Sequence, residues 1–371
     1  MRLTVGRAAA GGACVARAED GRVVFVRHAL PGETVDVEVT SEGSRFLRAD
    51  AVSVVEPSPD RVPAACRYAG PGLCGGCDWQ HASPSAQLAV KTSLVQEHLS
   101  RLASYEWDGS VEAVEPLWGW RTRVQWSVTP EGAGLHRHRS HDVIPVDRCL
   151  IAAMDPPTAG DPGASVEVTA VQGQACTTVD DRRVDLPGVR VAVGGRRFEV
   201  SAGGFWQVHA QAPSVLWEAL RSGLEPQPGE RVVDLYSGVG LFAALLGDVV
   251  GPTGSVLAVE GNARACADAA RNTDDQPWVK VRTSAVTPAL VRGLVADLVV
   301  LDPPRAGAGL EVSAALAGLS ARAIAYVSCD AATFARDLRV LLEGGWQVSS
   351  LRAFDLYPQT EHVELVTVLT R

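Results

Sequence analysis

The sequence has no apolar run of the roughly 18 residues that a membrane-spanning helix needs. Its N-terminus, Met-Arg-Leu-Thr-Val-Gly-Arg, lacks the continuous apolar stretch of a signal peptide. We therefore expect a cytoplasmic protein with no membrane partner, and no feature indicates an obligate protein partner. An excess of basic charge is also missing, because 34 Lys and Arg stand against 43 Asp and Glu. The net charge of −9 argues against a surface coated with basic side chains for nucleic acid, but it leaves room for a local basic groove.

Repeats and low-complexity tracts are absent too, and 371 residues suggest two or three domains. Short alternating β-rich runs separated by turn signals predict a small all-β barrel of the oligonucleotide-binding (OB) kind at residues 1–57. Residues 58–204 are predicted to form a central, mostly β segment that contains a cluster of cysteines and one helix near 84–103. From residue 205 to 371, apolar strands alternate with helices, which predicts a Rossmann-like α/β domain with a largely parallel sheet.

A glycine-rich turn at Asp234-Leu-Tyr-Ser-Gly-Val-Gly240 follows a predicted strand in this α/β region. Gly238 and Gly240 would let the backbone approach a ligand closely. Glu260 ends the next strand, where an acidic residue typically binds ribose hydroxyls. The position of Asp234 and the single G-x-G favour S-adenosylmethionine over NAD, although a tight structural turn would give the same pattern.

Two further segments carry groups suited to catalysis. Cys329 follows the apolar run Ile324–Ser328, and Glu364 lies beside the last predicted strand. A thiol nucleophile, a base and a cofactor turn in one α/β region indicate an enzyme that forms a transient covalent adduct. The alternatives are a buried core cysteine and a surface carboxylate, with Glu361 as the nearest rival for the base.

Three linked motifs give a more specific indication: Asp302-Pro-Pro-Arg-Ala-Gly307, Tyr326-Val-Ser-Cys-Asp-Ala-Ala-Thr333 and Asp355-Leu-Tyr-Pro-Gln-Thr-Glu-His-Val-Glu364. In order and spacing they resemble the D-P-P-R-x-G, Y-x-S-C-N-x-x-T and D-x-F-P-x-T-x-H-V-E motifs of the RNA (uracil-5-)-methyltransferase family. This chain departs from the pattern at Asp330, where the family has Asn, and at Tyr357, where it has Phe. A carboxylate at 330 would disfavour a thiolate at Cys329.

The resemblance implies a class I methyltransferase that uses S-adenosylmethionine to methylate C5 of a uridine in RNA. It implies that Cys329 adds to C6 of the base and that Glu364 removes the C5 proton. By the same resemblance, Gln207, Tyr236, Glu260 and Asp302 match positions that contact the cofactor. Asp302 has a second interpretation, since it would also end a strand in an ordinary turn.

Four cysteines precede the α/β region in a spacing that resembles the same family: Cys66, Cys74, Cys77 and Cys149. Thiolates in this density suit a [4Fe–4S] cluster, and zinc is the alternative because it also accepts four thiolates. The first spacing is two residues longer than the family pattern, and Gly70-Pro-Gly72 could form a wider loop there. We expect a structural role for the cluster.

Residues 1–57 resemble a TRAM domain, carried by Asp20-Gly-Arg-Val-Val-Phe-Val26 and Ala29-Leu-Pro-Gly-Glu33. Phe25 and Phe46 could stack on bases, or they could be core residues. Candidate phosphate contacts are Arg121, Arg123, Arg137 and Arg139. A barrel together with a cluster resembles the branch of the family that acts on 23S ribosomal RNA.

Other functions stay open at this point. Methylation of a tRNA uridine would use the same residues. A base N-methyltransferase would hold an exocyclic amine with Asp302-Pro-Pro-Arg305, but it leaves Cys329 and Glu364 without a role. A non-catalytic RNA-binding iron–sulfur protein would need no cofactor turn.

Overall fold

The computed structural model describes residues 1–158, 160–185 and 187–371. No helix among these residues is both long enough and apolar enough to cross a membrane. Four sheets are formed by the described residues, and the largest of them is the eight-stranded sheet of the C-terminal half.

The N-terminal sheet is all β, as the sequence predicted. Its strands are β1 (Arg2–Thr4), β2 (Ala8–Ala9), β3 (Ala13–Arg17), β4 (Val23–Arg27), β5 (Thr34–Glu42) and β6 (Phe46–Glu56). They lie in the order β1-β5-β6-β4-β3-β2. Just after β1, the Gly6 amide donates to the Val15 carbonyl in β3, so the two ends of the sheet meet and it closes towards a barrel. Alternating valines and alanines of β3 to β6 fill the interior.

The central segment begins with a helix whose boundaries follow its sequence. Ser83 caps the first turn through its hydroxyl, and proline occupies the position after the cap. The elements here are α1 (Pro84–His98), a π-helical turn (Leu99–Ala103), β7 (Val111–Ala113), β8 (Arg123–Thr129), β9 (Gly132–His136), β10 (Val143–Pro145), β11 (Ser165–Val171), β12 (Gln174–Val179), β13 (Arg182–Arg183), β14 (Gly188–Val193) and β15 (Arg196–Ser201).

Most of these strands form an antiparallel sheet ordered β10-β9-β8-β11-β12-β13, and β14 and β15 form a separate hairpin. Strand β7 is different, because it pairs with a strand of the C-terminal sheet. Val95 and Val111 accordingly pack in the same core as residues of that sheet. The domain boundaries at 57/58 and 204/205 stay predictions. A domain that begins at residue 205 would not include β7, which is an edge strand of the C-terminal sheet.

The C-terminal region alternates strands and helices as predicted. Its elements are α2 (Ala212–Leu224), β16 (Arg231–Leu235), α3 (Leu241–Val250), β17 (Ser255–Glu260), α4 (Ala263–Asn272), β18 (Val279–Thr283), α5 (Pro288–Arg292), β19 (Leu298–Leu301), α6 (Leu310–Ala317), β20 (Ala323–Ser328), α7 (Ala331–Glu343), β21 (Gln347–Asp355) and β22 (Glu364–Thr370).

These strands lie in the order β18-β17-β16-β19-β20-β22-β21-β7. Strands β16 to β20 run parallel, and β22 is antiparallel to both of its neighbours. Helices cover both faces of the sheet, so its central strands are buried and nearly continuously apolar. The carboxyl ends of the parallel strands meet at one edge, which is where such sheets place their ligands.

Candidate active site

Cys329 and Glu364 lie opposite one another at this edge of the sheet. Ser328, the last residue of β20, pairs with Leu365 in the antiparallel strand β22. The next positions across the two strands are therefore Cys329 and Glu364. Glu364 is buried and Cys329 is half-buried. The structure thus brings the two residues predicted to be catalytic to one place.

Burial sets the protonation of this pair. Burial first, and then the charges of Glu364 and Asp302, raise the pKa of the Cys329 thiol to about 12. Burial and the charge of Asp302 raise the pKa of Glu364 to about 8, against a lowering effect of the hydrogen bond from Tyr357. A buried carboxyl that titrates near neutral pH is suited to general-base work.

The departure at Asp330 has a structural explanation. The Asp330 carboxylate accepts a hydrogen bond of 2.8 Å from the Thr333 amide and caps the N-terminus of α7. Its charge is one of the smaller contributions that raise the pKa of Cys329, and the Arg305 guanidinium acts in the opposite direction. Arg305 also donates to His362 Nε2 at 3.2 Å. Arg305, in the Asp302-Pro-Pro-Arg305 motif, is therefore the cation that offsets the extra carboxylate.

The predicted cofactor residues meet at the same edge. Gln207 Nε2 donates to Asp302 Oδ2 at 3.2 Å, which joins the segment before α2 to the end of β19. Burial raises the pKa of Asp302 to about 6, and this hydrogen bond lowers it. Glu260 Oε2 accepts a hydrogen bond of 3.0 Å from the Gly238 amide, so the acidic residue holds the glycine turn. Tyr236 begins the turn at a φ of 60°, a strained conformation for a side chain of its size.

The glycine turn leaves polar groups without partners. Among the described residues, three buried atoms lack a hydrogen-bond partner here: both carboxylate oxygens of Asp234 and the hydroxyl oxygen of Ser237. The Ala243 amide faces Asp234 without reaching hydrogen-bond geometry. A Cβ on Gly238, whose φ is 54°, would meet no atom within 4 Å, so the backbone here is open to a ligand. These features fit a small polar cofactor.

The loop between β21 and β22 is held from outside the α/β region, which the sequence did not reveal. The Gln359 carbonyl accepts hydrogen bonds from the amides of Asp78 and Trp79, at 2.8 and 3.0 Å. The Gln359 side chain also pairs with Gln87 of α1 at 3.0 Å. The residue directly after Cys77 therefore anchors the loop that leads to Glu364.

Glu361, the rival for the role of base, is engaged elsewhere. Its Oε2 accepts hydrogen bonds from the amides of Gly11 and Gly12 in the N-terminal barrel. Its own amide donates to Asp78 Oδ2 at 3.1 Å. Glu361 thus lies where the barrel and the cysteine segment meet the loop between β21 and β22, whereas Glu364 faces the thiol.

The four clustered cysteines line one cavity, and all are free thiols. Burial raises the pKa of Cys74 and Cys149, and neighbouring cysteines contribute to both shifts. Gly75 allows the segment to dock, because a Cβ there would lie 2.5 Å from the backbone nitrogen of His138.

The longer first spacing is accommodated at the surface. Pro71, Gly72 and Leu73 are exposed, and the Leu73 amide donates to the Gly70 carbonyl to close a turn. The described residues contain no group of three or more His, Cys, Asp or Glu side chains arranged to hold a metal ion. The four thiols thus share a cavity without being arranged around a single ion.

A groove of about 520 Å³ lies between the barrel and the hairpin that joins β9 to β10. Its lining includes Phe25, Arg48, Arg137 and Arg139. Phe25 and Phe46 are half-buried and outside the barrel core. Their rings meet edge to face at 5.7 Å, and the Arg48 guanidinium lies 5.2 Å from the Phe46 ring centre. The groove reaches Gly11, whose amide donates to Glu361 in the loop between β21 and β22.

Two of the four predicted phosphate contacts lie elsewhere. Arg123 forms an ion pair of 2.6 Å with Glu167 on the next strand. Arg121 donates to the Arg123 carbonyl and lines the cysteine cavity. The prediction of a phosphate contact is not supported for these two, because their partners lie in the central sheet.

Comparison with known families assigns the two ends of the chain. Residues 1–52 match the TRAM domain, and residues 291–371 match the tRNA (uracil-5-)-methyltransferase family. The second match contains all three linked motifs, from Asp302 to Glu364.

Relatives cover nearly the whole chain. An uncharacterized RNA methyltransferase of Streptomyces coelicolor is 44% identical over 99% of this chain and 92% of its own length. An uncharacterized RNA methyltransferase of Corynebacterium efficiens is 34% identical over 100% of this chain and 94% of its own length. The 23S rRNA (uracil(1939)-C(5))-methyltransferase of Acinetobacter baylyi is 29% identical over 95% and 89%.

A solved structure shares the fold along the full length. It is the tRNA (uracil-54, C5)-methyltransferase of Pyrococcus abyssi in complex with S-adenosyl-L-homocysteine, with a TM-score of 0.73, 21% identity and 99% of each chain covered. This likeness confirms the class I methyltransferase fold. With its TRAM domain and its C-terminal motifs, the chain belongs to the RNA uracil-5-methyltransferase family of S-adenosylmethionine-dependent enzymes.

Proposed function

We propose that this enzyme methylates C5 of a uridine in 23S ribosomal RNA, with Cys329 as nucleophile and Glu364 as general base. The observation that carries the proposal is the register of β20 and β22, which sets the thiol opposite a buried carboxyl at the ligand edge of the sheet. Membership of an enzyme family sets aside the non-catalytic RNA-binding protein.

The residue types follow from the chemistry of uracil, whose C5 is a poor nucleophile. When the Cys329 thiolate bonds to C6, the electron pair of the C5–C6 double bond moves onto C5 and the adjacent carbonyl. C5 can then accept a methyl group. Glu364 next takes the proton from C5, the double bond re-forms, and the bond between Cys329 and C6 breaks. Methylation of an exocyclic amine would use neither residue.

S-adenosylmethionine supplies the electrophilic methyl group when it is bound. We propose that Gln207, Tyr236, Glu260 and Asp302 hold it at the glycine turn. The Asp234 carboxylate and the Ser237 hydroxyl support this assignment, because both are buried without partners beside that turn. One oxygen of Glu260 accepts a hydrogen bond from the Gly238 amide, and this contact orients the Glu260 carboxylate along the turn.

The RNA assignment depends on the relatives and on the groove. Two relatives at 29% and 28% identity are 23S rRNA (uracil(1939)-C(5))-methyltransferases. The groove with Arg48, Arg137 and Arg139 offers cations for phosphates, and the half-buried Phe25 in its lining offers a ring for a base. The target uridine must leave its stack for Cys329 to reach C6, which a single-stranded loop permits.

We further propose that Cys66, Cys74, Cys77 and Cys149 bind a [4Fe–4S] cluster with a structural role. Four free thiols in one cavity are the donor set that such a cluster takes. Zinc would need the four sulfurs about 2.3 Å from a single ion. The resemblance of the cysteine spacing in the sequence to the family pattern favours the cluster over zinc. Iron and acid-labile sulfide measured in protein purified without oxygen distinguish the two, because a zinc protein contains neither.

Transcripts that contain 5-fluorouridine test the mechanism. Fluorine at C5 cannot be removed as a proton, so the adduct should persist and should map to Cys329 by mass spectrometry. Replacing Cys329 by Ser should abolish the adduct and methylation together. A crosslink to another side chain, or full activity of the C329S variant, would contradict the proposal.

The substrate is tested separately with unmodified 23S rRNA fragments and unmodified tRNA. We expect 5-methyluridine in the 23S fragment that contains the target loop. Methylation of the tRNA alone would keep the chemistry and replace the substrate by a tRNA uridine.

A further inference from the structure

Tyr357 departs from the family pattern, and its hydroxyl contacts the proposed base. The Tyr357 hydroxyl donates a hydrogen bond of 2.9 Å to Glu364 Oε2. A phenylalanine at this position has no atom that could make the contact. Among the described residues, Glu364 has no other side-chain hydrogen bond, so Oε1 stays available for a proton.

The tyrosine is fixed on several sides. Its ring meets the Trp120 ring edge to face at 6.1 Å and the His362 ring at 5.7 Å. Its carbonyl accepts a hydrogen bond of 3.1 Å from the buried Lys91 ammonium, and its amide donates to Asp355. A hydroxyl held this firmly defines the direction of the carboxyl group that it contacts.

The charges around Glu364 give the hydrogen bond a chemical role. The charge of Asp302, directly after β19, raises the pKa of Glu364, while Cys329 lies opposite, directly after β20. The hydrogen bond from Tyr357 is the contribution that lowers the pKa of Glu364. Burial and the charge of Glu364 raise the pKa of Tyr357 well above its ordinary value, so the phenol keeps its proton and remains the donor.

We propose that Tyr357 is a positioning residue that aims Glu364 Oε1 at the C5 proton of the methylated adduct and favours the ionised form of Glu364 for that step. The inference rests on the proposed function and deepens it. In this step Oε1 takes the proton, the C5–H electron pair re-forms the C5–C6 double bond, and the sulfur of Cys329 leaves with the electrons of its bond to C6. Tyr357 gives up no proton and acts only through Glu364.

The test is the Tyr357→Phe variant, which restores the family residue and preserves the ring. We expect methyl transfer to continue and release of product to slow about 10-fold, the effect of losing one hydrogen bond to a charged group. With ordinary RNA, a covalent complex with methylated RNA should therefore accumulate. The acid limb of the pH–rate profile should move to higher pH, because removal of the donor raises the pKa of a base that must be ionised.

Tyr105→Phe is the matched control, since it removes a hydroxyl from a half-buried tyrosine elsewhere in the fold. It should leave both readouts unchanged. Replacement of Tyr357 by 3-fluorotyrosine keeps the ring and strengthens the donor, so the acid limb should move to lower pH. This second variant tests the proposal even if Y357F folds poorly.

Glu364→Gln separates the two proposals. If E364Q accumulates the covalent complex but Y357F turns over like the wild type, the role of Tyr357 is wrong and the proposed function stands. If E364Q neither loses turnover nor accumulates a complex, the proposed function fails. A double variant no slower than E364Q alone supports action through Glu364, whereas a further 10-fold loss would overturn it.

Discussion

The Lys91 ammonium donates a hydrogen bond of 2.6 Å to the Asp355 carboxylate, and the two side chains are 0% and 4% exposed. Lys91 lies on α1 and Asp355 ends β21, so the pair joins the central segment to the methyltransferase sheet. The same ammonium reaches the Tyr357 carbonyl. The ion pair is thus located where the helix, the sheet and the catalytic loop meet.

Removing one partner of this pair should be costly. We expect Lys91→Met to lower the free energy of unfolding by about 3–5 kcal/mol, because it leaves a buried carboxylate without its cation. Denaturant titration monitored by circular dichroism measures the change. The double variant K91M/D355N should recover part of the loss, and recovery of none would indicate that Lys91 contributes mainly through Tyr357.

Loss of the base should make the nucleophile more reactive. The charge of Glu364 raises the pKa of Cys329, second only to burial. We therefore expect E364Q, which should block turnover if Glu364 is the proposed base, to speed alkylation of Cys329 by iodoacetamide severalfold at pH 8 to 9. Peptide mass spectrometry follows the labelled thiol. Slower labelling than in the wild type would mean that the carboxylate instead accepts the thiol proton.

Restoring the family asparagine at position 330 should also make Cys329 more reactive, but by less than the Glu364→Gln change does. Asp330→Asn removes a negative charge near Cys329 while its side-chain oxygen can still cap α7. We expect formation of the 5-fluorouridine adduct at neutral pH to speed up by a few-fold. Thermal unfolding should be nearly unchanged, and a large loss of stability would show that the charge on the cap matters more than its oxygen.

Loss of a cysteine from the proposed cluster should loosen the loop between β21 and β22. Asp78 and Trp79 follow Cys77 directly, and their amides bind the Gln359 carbonyl. We expect Cys77→Ser to lower the iron content and to increase hydrogen exchange of residues 357–364 more than that of α4. Cys176→Ser, which changes a buried cysteine outside the cavity, is the control. Equal protection of the loop in both variants would contradict the coupling.

The groove arginines should govern the salt dependence of RNA binding. Replacing both Arg137 and Arg139 by Gln should weaken binding and reduce the slope of log affinity against log salt by about 1 to 2, since each phosphate contact contributes about 0.7 for single strands. Arg190→Gln on the β14–β15 hairpin is a matched exposed control. Filter binding at several salt concentrations measures the slopes, and an unchanged slope would remove these residues from the interface.

Local patterns predicted the α/β elements well. The strand Ser255–Glu260 and the helix Ala263–Asn272 follow the predicted alternation, because β-branched residues, an Asn262 cap and amphipathic spacing act within each segment. Strand β7 escaped prediction because three residues carry no periodic signal. Its pairing with β21 depends on residues more than 200 positions away.

Pairings of side chains across the chain were the least predictable. Nothing near Arg123 indicates its ion pair with Glu167, which depends on the register of two strands. Similarly, residues 356–363 form a loop whose path decides whether the Tyr357 hydroxyl and the Glu364 carboxyl meet. Motif resemblance supplied the identities of the candidate residues, while only the fold shows how Arg305, Asp330 and Tyr357 surround them.

Gly12 has a φ of 64°, and a Cβ there would lie 2.5 Å from the Cβ of Asp78. The barrel can approach Asp78, in the cysteine segment, only because position 12 has no side chain. Chimeras that exchange the N-terminal barrel between relatives should therefore take residues 12 and 78 from the same parent. A barrel with any larger residue at position 12 should be displaced from Asp78, however well that barrel folds by itself.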